Sequence, residues 1–136
     1  MKALDTNILV RYYTQDDPRQ AKIALRIFNE EEALFVPRTV LIELYFVLRY
    51  GKQYRFEPAQ INAVLTHLLG LGKVTIEQAT TVETALRYYK QGIDFADALH
   101  LASSQHCSML LTFDDRKFAR RARRLGLKPP VTVPSA

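Results

Sequence analysis

The stretch that decides the fold is Ala33-Leu-Phe-Val36-Pro-Arg-Thr-Val40-Leu-Ile-Glu43-Leu-Tyr-Phe-Val-Leu48-Arg-Tyr-Gly51. Ala33 to Val36 reads as a strand, Pro37 ends it, and Thr39 opens a strongly apolar helix that reaches Tyr50 with Gly51 behind it. A strand that hands directly to a helix is the building unit of an α/β protein. The helix is apolar nearly all round, and such a helix is expected to be buried. Glu43 is the anomaly within it, because a buried carboxylate is strongly unfavourable unless a cation or hydrogen bonds compensate it.

The same alternation runs outward in both directions. Upstream, Lys2 to Asp5 reads as a first strand and Asn7 to Tyr13 as a helix, with Thr6 or Asn7 as its cap. Asp17-Pro18 places a cap before a proline at the first helical position, and Ala21, Ala24, Leu25 and Phe28 carry a helical stripe toward Glu32. Downstream, Glu57-Pro58 begins a helix with Ile61, Val64, Leu65 and Leu68 on one face, closed by Gly70 and Gly72. Val74 to Ile76 is a third strand, and a helix from about Thr81 to Lys90 stops at Gly92. Asp94 then caps a helix through Ala102, Met109 to Thr112 is a fourth strand, a basic helix runs to Leu125, and Val131 to Val133 adds a fifth strand. This order predicts a single domain over residues 1–136: a three-layer α/β/α sandwich around a mostly parallel central sheet of four or five strands. In such sheets the functional crevice lies beyond the carboxyl ends of the strands.

Composition narrows the class. Of 136 residues, 48% are hydrophobic and 24% charged, which excludes a disordered or collagenous chain and suffices for one core without a structural metal. Cys107 is the lone cysteine and has no internal disulfide partner, as expected in a reducing compartment. The richest apolar run, Val40 to Leu48, is far too short to span a bilayer, and Asp5 and Asn7 interrupt any signal-peptide core. A cytoplasmic protein with no membrane association is expected. The net charge of +5 is local. Arg116, Lys117, Arg120, Arg121, Arg123, Arg124 and Lys128 include no acid among them, and the rest of the chain has 12 basic against 14 acidic residues. Such a patch suits the phosphates of a nucleic acid, or is the solvated face of a C-terminal helix.

Four carboxylates stand out by position. Asp5 ends the first strand, Glu43 lies one turn into the helix after the second, Asp97 sits in the first turn of the helix capped at Asp94, and Asp114 follows the fourth strand. Parallel strands bring all four to one crevice, where like charges require a countercharge. A hard divalent cation, Mg²⁺ or Mn²⁺, supplies it through oxygen ligands. Each acid also has a structural reading: Asp94 as an N-cap, Asp97 as a favourable charge at a helix N-terminus, Asp114 or Asp115 as the start of the last helix, Asp5 as a turn residue, and Glu43 as the partner of Arg38 or Arg49.

Leu4-Asp5-Thr6-Asn7, Glu43 in its apolar helix, Asp94-Phe-Ala-Asp97-Ala-Leu-His-Leu-Ala and Leu111-Thr-Phe-Asp114-Asp115-Arg-Lys-Phe118 resemble, in order and spacing, the PIN-domain nucleases, most closely the VapC-type ribonuclease toxins of toxin–antitoxin pairs. The resemblance covers residue 3 to about 125. It implies a PIN-like fold with Asp5, Glu43, Asp97 and Asp114 as the catalytic, metal-holding quartet. Thr6, Asn7 and Thr112 support them, and Asp94 and Asp115 are acidic neighbours. It further implies Mg²⁺- or Mn²⁺-dependent endonucleolytic hydrolysis of RNA leaving 5′-phosphate and 3′-hydroxyl ends. Arg116, Lys117, Arg120, Arg121, Arg123 and Arg124 would hold the RNA backbone. A homodimer is implied, held inactive by a small antitoxin, with Val40 to Phe56 as the candidate docking surface. Tyr45, Tyr50, Tyr54 and Phe56 are candidates either for stacking on bases or for that partner surface.

Other chemistries fit less well. His100, His106 and Cys107 lack the spacing and the fourth ligand of a zinc site. Gly70-Leu-Gly72-Lys73 is followed by Val74, where a phosphate-binding loop needs Ser or Thr. A phosphotransferase using Asp5 as nucleophile would want a second Asp where Asn7 stands. The competing non-enzymatic reading is a catalytically inactive PIN-like RNA-binding or scaffold protein, which would bind RNA equally with and without metal.

Overall fold

Short parallel strands joined by amphipathic helices organise the computed structural model, which describes residues 1–136. Two compact units emerge, Met1–Ala79 and Thr80–Ala136. In the first, β1 (Lys2–Ala3), β2 (Leu34–Val36) and β3 (Val74–Ile76) form a parallel sheet in that order. Lys2 pairs with Leu34 and Ala3 with Phe35, and β2 continues against β3 with Leu34, Phe35 and Val36 opposite Val74, Thr75 and Ile76.

The helices of this unit are α1 (Thr6–Thr14), α2 (Pro18–Glu30), α3 (Arg38–Tyr50) and α4 (Pro58–Gly70). Each starts where the sequence offers a cap or a proline. Asp5 accepts from the Thr6 N–H, so the cap of α1 is Asp5 rather than Thr6 or Asn7. Asp17 accepts from the Gln20 N–H ahead of Pro18, and the Gln60 side chain accepts from the Glu57 N–H ahead of Pro58. The expected stripe of α4, Ile61, Val64, Leu65 and Leu68, is buried as a set. Leu9, Leu34, Leu41, Leu44 and Leu48 are also within the core.

In the second unit α5 (Ala79–Lys90) buries Val82, Ala85, Leu86 and Tyr89, and α6 (Phe95–Ala102) buries Phe95, Ala98, Leu99, Leu101 and Ala102. Gly92, at a φ of +107° that side-chain-bearing residues avoid, turns the chain between them. β4 (Leu110–Leu111) pairs in parallel with β5 (Val131–Thr132). The segment between them begins as a π-helical turn, Asp115–Ala119, and only then becomes α7 (Arg120–Arg124), where one continuous helix was expected.

The α/β class and the parallel pairing stand as expected, and every expected strand is present. The strands divide into a sheet of three and a sheet of two, where one sheet of four or five was expected. No helix is long and apolar enough to cross a membrane.

Candidate active site

In the first unit the end of β1 delivers Asp5 into the N-cap of α1, with its Oδ1 2.7 Å from the Thr6 nitrogen. The buried Leu4 just before it donates its N–H to the Phe35 carbonyl at 2.9 Å, which anchors this turn to β2. Asn7 follows on the exposed side of α1. The neighbouring β2 passes through Pro37 into α3 and delivers Glu43. Asp5, Thr6, Asn7 and Glu43 line one open cavity of about 470 Å³, joined there by Val10, Arg11, Val47, Gly51, Gln53 and Tyr54.

Glu43 departs from expectation in one respect. It is exposed, as are Thr39, Phe46 and Tyr50, and these four mark an outward stripe at helical spacing. Val40, Leu41, Leu44, Tyr45 and Leu48 make the buried face. The helix is therefore amphipathic, with two aromatics on its outer side, and desolvation does not single out Glu43. Neither Arg38 nor Arg49 pairs with it. The Arg38 guanidinium donates to the Gln78 side chain while its backbone N–H donates to Glu77, and Arg49 donates to the Phe56 carbonyl. Of the aromatics proposed for stacking, Tyr45 is core at 2% exposure, while Tyr50 is 56% exposed.

In the second unit Asp94 caps α6, its Oδ1 accepting from the Ala96 and Asp97 N–H groups. Asp97 lies one turn in and is partly buried. Burial pushes its carboxyl up. The negative charge of Asp94 adds to the rise, His100 opposes it, and Asp114 raises it again. Asp114 follows β4 and caps the π-helical turn: its Oδ1 accepts from the Lys117 N–H at 2.9 Å, and its own N–H donates to the Thr112 hydroxyl at 3.0 Å. Thr112 thus orients Asp114 directly. Asp115 points elsewhere, into a 2.7 Å ion pair with Arg120.

The basic residues fall on two elements. Arg116 and Lys117 belong to the π-helical turn, and Arg120, Arg121, Arg123 and Arg124 to α7. Arg120 is tied to Asp115, and Arg121 donates to the Gly92 carbonyl at 3.0 Å. Arg116, Lys117, Arg123 and Arg124 are exposed, with side chains available to a ligand.

Only Asp16, Glu31 and Asp115 find a Lys or Arg; Asp5, Glu43, Asp97 and Asp114 belong with the acids outside these three ion pairs, so pairing alone does not single them out. Beside Asp5, the buried Thr6 hydroxyl has no hydrogen-bond partner. Oxygen donors without a protein countercharge are the donor set of a hard divalent cation. Nowhere in the chain do three His, Cys, Asp or Glu side chains gather into a metal-holding group, where four acids in one crevice were expected; Asp5 and Glu43 share a cavity.

The reading of the sequence missed Arg11 and gave Tyr54 a different role. Arg11 follows Asn7 by one helical turn, the spacing that puts both on one face, and this signal was available in the sequence.

Fold and acids together define an α/β protein with a carboxylate-lined site. The chain belongs to the PIN domain family, whose model matches residues 2–124. It is similar to a VapC ribonuclease of Aquifex aeolicus (strain VF5), 29% identical over 134 residues, or 94% of each chain. It is also similar to Ribonuclease VapC26 of Mycobacterium tuberculosis (strain ATCC 25618 / H37Rv), 29% identical over 121 residues, 85% of this chain and 88% of the relative. No solved structure matches the chain.

Proposed function

We propose that residues 1–136 form one metal-dependent endoribonuclease domain, the cytoplasmic toxin of a VapBC-type pair. Asp5, Glu43, Asp97 and Asp114 together hold one or two Mg²⁺ or Mn²⁺ ions. The observation that carries this reading is the cavity that Asp5 and Glu43, from separate elements, share beside Asn7 and the unpartnered Thr6 hydroxyl. Membership of the PIN family and the names of the two relatives support RNA as the substrate.

Bound there, a hard divalent cation supplies Lewis-acid stabilisation to a phosphodiester and eases the deprotonation of water. The chain's own residues do the rest. Asp5 and Glu43 present carboxylate oxygens to one cavity, and Asn7 offers an amide beside them. Thr112 and the backbone of the π-helical turn hold Asp114 in a fixed orientation. Arg116, Lys117, Arg123 and Arg124 hold the RNA backbone without reading its sequence. The exposed Phe46 and Tyr50 on α3 support the Val40–Phe56 segment as the docking surface for a small antitoxin, and the toxin acts as a homodimer.

The test is incubation of purified protein, freed of any partner, with total RNA in Mg²⁺ or in EDTA, beside Glu43→Gln and Asp5→Asn. Wild type alone should cut, and only with metal, leaving 5′-phosphate ends. Equal cutting by both variants would assign the activity to another site or a contaminant. RNA bound but left intact by wild type in Mg²⁺ would favour the scaffold reading.

A further inference from the structure

Arg11 is the one cation lining the cavity that holds Asp5 and Glu43, and its side chain is held by an unusual number of partners. Its Nε donates to Gln20 Oε1 at 2.7 Å, and its Nη1 donates to Asp16 Oδ1 at 2.8 Å and to the Tyr54 hydroxyl at 3.3 Å. Asp16 is fixed in turn. The Tyr54 hydroxyl donates to its Oδ2 at 2.5 Å, and the Thr14 hydroxyl to its Oδ1 at 2.8 Å. These contacts use Nε and Nη1, and none of them engages the two N–H groups of Nη2.

Stability does not account for this arrangement. Arg11 and Asp16 are both partly exposed, and exposed ion pairs contribute little while immobilising long side chains. What the contacts do achieve is orientation: the two N–H donors of Nη2 are set in place at the wall of an acidic cavity. Charged N–H donors bond phosphate oxygens, and the cavity volume is within the range that takes a nucleotide-sized ligand. An RNA phosphate beside Asp5 and Glu43 meets two negative charges and needs an opposing donor.

We propose that Arg11, aimed by Asp16, Tyr54 and Gln20, binds a phosphate of the RNA strand next to the one cleaved and so positions the substrate in the cavity. This rests on the ribonuclease reading, but its test does not require cleavage.

Binding of a short fluorescent single-stranded oligoribonucleotide is followed by anisotropy in EDTA across a salt series, for wild type, Arg11→Gln, Arg11→Lys and Asp16→Asn, with melting temperatures as a control on folding. Loss of one phosphate contact reduces the slope of log K against log salt by about 0.7 on a single strand. Arg11→Gln should show that reduction and bind about tenfold more weakly. Arg11→Lys should keep the slope yet lose several-fold in affinity, because the charge remains while the planar group aimed by Gln20, Asp16 and Tyr54 does not. Asp16→Asn discriminates by sign. It adds one net positive charge, so attraction by charge alone predicts tighter binding, whereas loss of orientation predicts weaker binding. An unchanged slope in a folded Arg11→Gln, or tighter binding by Asp16→Asn, would overturn the proposal. If wild type binds in this manner yet never cuts RNA in Mg²⁺, the ribonuclease reading falls and the phosphate contact stands. If wild type cuts and Arg11→Gln binds like it, the phosphate contact alone falls.

Discussion

Replacing Asp97 with Asn separates the two roles this carboxylate can have, because they predict opposite signs. Burial and then Asp94 push the Asp97 carboxyl up, with Asp114 adding to the rise and His100 opposing it. A carboxyl raised in the folded state binds its proton more tightly there than in the unfolded chain. It therefore adds stability at low pH that is lost as pH rises through the folded value. At pH 7 in EDTA the ionised Asp97 is a burden, and Asp97→Asn should melt above wild type, with the gap closing below about pH 4. A purely structural Asp97, favourable at the N-terminus of α6, would be worth about 0.3–1 kcal/mol, and its loss would lower the melting temperature instead. Divalent metal adds a second reading. Ligand at about ten times its Kd stabilises the folded state by about 1.4 kcal/mol, and at about a hundred times by about 2.7 kcal/mol. For a chain of this length that raises the melting temperature by about 5 to 10 °C. Wild type should show this rise on passing from EDTA to Mg²⁺ at matched ionic strength, and Asp97→Asn should show less than half of it. The assay is a thermal melt followed by circular dichroism at 222 nm. An equal Mg²⁺ shift in the variant, or a variant less stable than wild type in EDTA, would refute the reasoning.

Two further outcomes follow from the wall of the first unit's cavity. A Cβ at Gly51 would lie 2.3 Å from the Val47 carbonyl oxygen and 3.2 Å from Tyr54 Cδ2, and the first of these is backbone. Gly51→Ala should therefore cost about 1–3 kcal/mol in a chemical denaturation, whereas a change within error would mean that the end of α3 shifts freely. Asp16 is held down to about 2, first by the Tyr54 hydroxyl, then by the Thr14 hydroxyl and Arg11. The stability it contributes is thus present above the ordinary carboxylate range and lost as pH falls from about 4 toward 2. The stability difference between wild type and Asp16→Asn should shrink across that window in melts at pH 2 to 5, and a constant difference would show that the charge on Asp16 is immaterial.

Much of this architecture was written in short-range chemistry. Asp17-Pro18 and Asp94 mark helix starts through side chains that reach backbone N–H groups two or three residues on, and such contacts are legible without tertiary information. The stripe Ile61, Val64, Leu65 and Leu68 was equally plain. Illegible features were those decided by neighbours distant in sequence. Tyr45 and Phe46 are adjacent aromatics in an apolar helix, and only packing determines that the first is core and the second faces outward. The π-helical turn at Asp115–Ala119 is five residues long, too short for hydrophobic periodicity to distinguish it from an α-helix. β1 and β4 have two residues each, which leaves their neighbours in a sheet unspecified by pattern. Arg11 went unremarked because its partners Tyr54 and Gln20 come from different segments.

Glu43 shows how a residue can be picked out for a reason the structure replaces. Burial would have made its charge expensive and so meaningful, but it is exposed, and an exposed carboxylate needs no compensation. Its significance comes from the company it keeps. Asp5 shares its cavity, no Lys or Arg pairs with either, and the only cation in the lining is already bonded to Asp16. A phosphodiester entering there meets two carboxylates, with Arg11 at the wall as the one opposing donor. On the proposed reading a divalent cation supplies the missing positive charge. Basic residues alone suffice to bind RNA; it is the pair of carboxylates in one cavity that turns the proposal from binding toward metal-dependent cleavage.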